Sequence, residues 1–127
     1  MGKLRTHVVR VTTTGANGSA SGTGETSGPI MGLLRGIAYD FHASAPATTD
    51  VTVRTKGGTP PSYTLHATTN TVTDVMVVPA AKPVDNANAA ITDAHAPFPL
   101  ADYVEVVVAQ ANALTNAVVV YLFVEEL

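Results

Sequence analysis

The chain has 127 residues and a mass of 13.1 kDa, room for one core and no second domain of ordinary size. It contains no cysteine and no tryptophan, which excludes disulfides, thiolate nucleophiles and cysteine-based metal sites, and weakens any aromatic stacking platform. Seven basic against ten acidic side chains give a net charge of −3, against an electrostatic nucleic-acid binder; no apolar run approaches the roughly 18 residues of a membrane span.

Charged residues make up 13% of the chain, about half the usual ~25%, while hydrophobic residues reach 46%. A monomer normally keeps a mixed, charged surface to avoid association. This surface must therefore be solvated by Thr, Ser, Asn and Gly, or covered by other subunits. The second reading is preferred.

In chain order, Thr6 to Thr14 alternates and is rich in Val and Thr, which predicts a strand. Gly15 to Gly28 (GANGSASGTGETSG) is almost wholly small and polar, and predicts a mobile loop or hinge ended by Pro29. Ile30 to His42 is apolar enough for one long strand, or two broken at Gly36. Asp50 to Thr55 alternates cleanly, and Lys56-Gly57-Gly58 predicts a hairpin turn into a returning strand over Ser62 to Thr68. Val72 to Val78 is next, followed by a long proline-bearing loop from Ala80 to Pro99. The last strands, Tyr103 to Ala109 and Ala117 to Glu125, are the strongest. The final one is apolar on both faces: Val118, Val120, Leu122 and Val124 on one, Val119, Tyr121 and Phe123 on the other. Such a strand is central in a sandwich or lies under a subunit contact.

Seven or eight short strands with long crossing loops predict an all-β, antiparallel, jelly-roll-like β-sandwich. Residues 1–24 hold Lys3, Arg5 and Arg10 and no acid; the remainder holds four basic groups against ten acids. This division suggests a flexible basic N-terminal arm with its hinge (residues 1–28) on an acidic sandwich (residues 29–127). Candidate interface residues are Lys3, Arg5 and Arg10 of the arm, with Tyr121 and Phe123 of the last strand.

Catalytic signatures are lacking. Asp40 with His42 and Asp93 with His95 are Asp-x-His pairs, and Asp40 and His42 would share a strand face at i and i+2, but three or four ligands are needed for a metal, and His7 and His66 are isolated. These pairs are read as structural His–Asp contacts. Ser19 and Ser21 lack the strand–turn–helix setting of a nucleophile, and Gly22-Thr23-Gly24 has no following helix to hold a phosphate. Glu25, Asp40, Asp74 and Glu105 offer carboxylates for glycoside hydrolysis without an aromatic cleft to grip a sugar. No catalytic residue, metal site or cofactor is expected, and no nucleic-acid or membrane partner.

The stretch Arg35-Gly36-Ile37-Ala38-Tyr39-Asp40-Phe41-His42-Ala43, followed by Ala47 to Val53, resembles small virion proteins of tailed bacteriophages. Pro97-Phe98-Pro99-Leu100 before Tyr103 to Val108, and the ending Asn116 to Tyr121, share the pattern, which spans Pro29 to Glu125. The resemblance implies a non-enzymatic cement protein on the capsid exterior, made in the host cytoplasm. Its partner would be the major capsid protein, whose neighbouring subunits it bridges as a homo-oligomer, a trimer. Alternatives are another phage part (a head-fibre base or tail protein) or a carbohydrate-binding β-sandwich using Tyr39, Tyr63, Tyr103 or Tyr121.

Overall fold

The computed structural model describes residues 2–58, 61–84 and 86–126. Among them are nine strands and no helix: β1 (Lys3–Val11), β2 (Ala20–Glu25), β3 (Ile30–Phe41), β4 (Asp50–Thr55), β5 (Thr64–Thr68), β6 (Val75–Val77), β7 (Pro99–Asp102), β8 (Val104–Ala111) and β9 (Val118–Glu126). Every ladder is antiparallel, and the pairs are nested: β1 with β9, β2 with β8, β3 with both β6 and β7, β4 with β5. Rolling up this long hairpin sets β9 against β3 and β8 against β4. The result is two sheets, β1-β9-β3-β6 with β7 beside β3, and β2-β8-β4-β5. This is a jelly-roll sandwich in which the strand paired with β3 is divided into β6 and β7.

The core lies between the sheets. Val9 and Val11 of β1, Leu34, Ile37 and Tyr39 of β3, and Val118, Val120, Leu122 and Val124 of β9 meet Val51, Val53, Val104, Val106 and Val108 of the opposite sheet. Branched side chains at every second position suit a pleated, half-buried surface. The chain stays extended through Gly36, because a bulge between Leu34 and Gly36 absorbs the irregularity without ending β3.

Two expectations are corrected. The segment expected as a detachable arm is built into the sheet: β1 pairs with β9 from Lys3↔Glu126 to Val11↔Val118, with Val9 and Val11 in the core. The expected hinge, Gly15 to Gly28, contains β2. Its inward positions are Gly22 and Gly24, and a Cβ at Gly24 would lie 2.7 Å from the Arg10 carbonyl oxygen, while one at Gly22 would sit closer still to that of Thr12. Glycine is there so that β2 can lie against the β1 backbone and close the sandwich edge.

Some of the threonines are buried pegs. Thr13 Oγ1 donates to the Asn112 carbonyl (2.5 Å) and accepts from Leu114 N–H (3.1 Å), tying the β1–β2 corner to the β8–β9 loop. Thr26 Oγ1 donates to the Gly28 carbonyl and accepts from Val104 N–H. Both hydroxyls are satisfied, as burial requires.

Candidate functional site

The site builds outward from β9, the central strand of its sheet. Its inward residues fill the core, so alternation sends Val119, Tyr121, Phe123 and Glu125 to the outside. The ladders on either side fix their neighbours. Arg10 and Asp40 flank Val119; Val8 and Ala38 flank Tyr121, with Met76 of β6 beyond Ala38; Thr6 and Gly36 flank Phe123. Leu4 lies beside Glu125. Several of these side chains are open to solvent: Leu4 is 67% exposed, Met76 61% and Val8 36%, and Tyr121 and Phe123 are half-buried. A four-strand face is thus lined with Leu, Val, Met, Tyr and Phe.

Its charges are few. Glu125 accepts two hydrogen bonds from the Arg35 guanidinium, at 2.8 Å and 2.5 Å. Arg10 and Asp40 are exposed, and neither is in an ion pair or hydrogen bond among the described residues.

Of the five expected interface residues, Arg10, Tyr121 and Phe123 come together on this face. Lys3 and Arg5 have the opposite alternation, that of Val9 and Val11, and point to the open end of the sandwich. There Glu126 accepts from Arg5 Nε (3.0 Å) and pairs with His7 Nε2 (2.7 Å).

Three of the four tyrosines considered for stacking are committed elsewhere. Tyr39 is buried and its hydroxyl shares a hydrogen bond with His66 Nδ1 across the core (2.6 Å); burial pushes the phenol up and the imidazole down, so both are neutral. Tyr63 donates to the Pro99 carbonyl and stacks on Phe98. The Tyr103 ring lies 5.2 Å below the Lys56 ammonium. Only Tyr121 stands on the open face.

The expected His–Asp contacts do not form. Asp40 points out of the sheet, and His42 Nδ1 accepts instead from Ser44 N–H (3.0 Å). Asp93 and His95 lie in the long loop without a mutual contact among the described residues. No group of three or more His, Asp or Glu side chains able to hold a metal converges among the described residues. A cleft of about 210 Å³ between β3 and the long loop is lined by Leu34, Arg35, Val78 and His95 with three neighbouring alanine and proline positions and one more proline, walls that are mainly apolar. Its arginine is the one already held by Glu125.

No protein-family model and no curated protein matches the chain. Among solved structures it is similar to the module CBM32-3 of a family 31 glycoside hydrolase from Clostridium perfringens, with 12% identity, a TM-score of 0.38, and coverage of 91% of this chain and 72% of that one. It is also similar to two mutants of a family 29 carbohydrate-binding module. One has 9% identity, a TM-score of 0.40 and coverage of 97% and 81%; the other, complexed with cellulohexaose, has 11%, 0.38, and 96% and 79%. These likenesses are confined to the β-sandwich arrangement and carry no argument about function.

Proposed function

We propose that the protein is an assembly module of a virion, a capsid decoration protein that works by burying apolar surface rather than by chemistry. The carrying observation is the outer face around Tyr121 and Phe123: exposed Leu, Val and Met surround the rings on a sheet whose other face already fills the core. Contiguous exposed apolar surface of this kind marks an interaction site. At ~25 cal/mol per Å², a contact of standard size (about 1,600 Å² in total) supplies ample gross stabilisation before the costs of association. The resemblance in Pro29 to Glu125 makes the major capsid protein the macromolecular partner, and the work mechanical: clamping neighbouring shell subunits.

A carbohydrate-binding reading has one observation in its favour. Tyr121 and Phe123 stand two residues apart on the same open face, as stacking rings would. The side chains beside Tyr121 are Val8, Ala38 and Met76, none of which can hydrogen-bond a sugar hydroxyl. That favours protein over sugar.

The test is co-sedimentation of the purified chain with heads assembled from the capsid protein encoded in the same genome, beside a glycan array. Stoichiometric binding to heads, lost in Phe123→Asp, is expected. A specific glycan signal with no binding to heads overturns the reading.

A further inference from the structure

We propose that the outer face of the β1-β9-β3-β6 sheet is the contact between two copies of this chain, packed face to face about a two-fold axis along β9. This rests on the reading of that face as a docking surface, but seats a second copy there in place of a shell subunit, so the two occupants compete for it.

Charge placement carries the argument. Within the rows centred on β9, Glu125 is neutralised by Arg35 of the same chain, while Arg10 and Asp40 have no ion-pair partner among the described residues; Asp74, just before β6, accepts from the Phe41 N–H. Arg10 and Asp40 are opposite in sign and sit in one row, on either side of Val119: Arg10↔Val119 in one ladder, Asp40↔Val119 in the other. A two-fold axis along β9 carries β1 of one copy over β3 of the second. Arg10 then faces Asp40 of the second copy, and Asp40 faces its Arg10. One rotation satisfies both charges twice, as a self-complementary contact requires. An unrelated partner would have to supply an acid and a base at matching positions.

The intervening rows fit the same rotation. Val8 comes over Ala38, large against small, and Thr6 over Gly36, while Tyr121 and Phe123 lie along the axis. The three overlapped strands at about 4.8 Å and six residues at about 3.3 Å give a face roughly 14 Å by 20 Å, the size of a weak, transient contact. Pairing is therefore weak and strongly concentration-dependent. It sets an even number of copies, unlike the threefold arrangement that the resemblance implies.

The experiment is light scattering and sedimentation on the full chain, with Arg10→Asp and Asp40→Arg studied apart and mixed. Wild type should approach twice the 13.1 kDa chain mass as concentration is raised. Each variant alone sets like charges against each other and should pair at least about tenfold more weakly. An equimolar mixture places Asp against Arg at both sites and should pair as tightly as wild type. Circular dichroism should show both variants folded, since neither side chain has a partner among the described residues.

A monomer throughout overturns the pairing, and so does a mixture that pairs no better than its components. Co-sedimentation with heads separates this from the virion reading. A monomer that binds heads through Phe123 overturns the pairing and leaves that reading standing. A dimer with the charge behaviour above that ignores heads supports the pairing and removes the reading.

Discussion

The two sheets have central strands of nearly the same character, yet their outer faces differ. On β9, outward Tyr121 lies between Val8 and Ala38, and outward Phe123 between Thr6 and Gly36. On β8, outward Val107 lies between Thr23 and Thr52, and outward Glu105 between Glu25 and Arg54. The second face is also knit by ions: Arg54 Nε donates to Glu105 at 2.6 Å, and Lys56 Nζ to Glu25 at 3.1 Å. Those contacts with Glu25 raise the ammonium pKa, the hydrogen bond first. The central strand does not decide which face is wet. Its flanking strands do, because each outward side chain is solvated or covered by its cross-strand neighbours.

The largest effect that tests this comparison belongs to adjacent residues of β9. Leu122 is wholly buried, and Leu122→Ala should cost about 2–5 kcal/mol in urea unfolding. Phe123→Asp, one residue on and facing out, should abolish association while lowering monomer stability less than Leu122→Ala does. Val107→Asp is the matching change on the other sheet and should leave association intact. Equal loss of association in both aspartate variants would erase the distinction between the faces.

The sequence shows part of this. Asp50–Thr55 is read to the residue and β8 and β9 to within a residue or two, since alternating Val over a long run has no competing helical reading. β2 is missed because ASGTGE carries no apolar alternation; its strand character comes from the close approach of Gly22 and Gly24 to β1, a tertiary fact. β7 is hidden by Pro99, which is tolerated as the first residue of a short strand. Tyr121 and Phe123 stand out because both faces of β9 are apolar. The adjacency of Arg10, Val119 and Asp40 joins three segments far apart in sequence, and needs the register of two ladders to be seen.

A smaller effect arises between the faces. Burial lowers the His66 pKa, and its Nδ1 is hydrogen-bonded to the Tyr39 hydroxyl of the opposite sheet. A base whose folded pKa is depressed lends stability that is fully present above its unfolded value, about 6.5, and is lost as pH falls through the folded value. Urea midpoints should therefore decline from pH 8 to pH 5, and His66→Gln should flatten that decline. Because His66 points inward, the variant should associate as wild type does at pH 8. A variant that keeps the full acid slope would assign it to other groups.

The smallest expected effect sets one arginine from each face against the other. Arg54 is paired with Glu105, but its side chain is 43% exposed, so Arg54→Gln should cost only about 0.2–1 kcal/mol of stability. That loss should shrink in 1 M salt, where the screening length falls to about 3 Å. Association should not respond, because the polar face is not the contact. Arg10→Gln should behave in the opposite way: no partner among the described residues is lost, so stability should hold within about 0.5 kcal/mol, while the dimer weakens. Measuring urea stability and sedimentation on both variants gives four numbers whose pattern matters more than their size. If Arg54→Gln weakens association more than Arg10→Gln does, the faces have been assigned the wrong way round, and the threonine-lined sheet is the one that meets a partner.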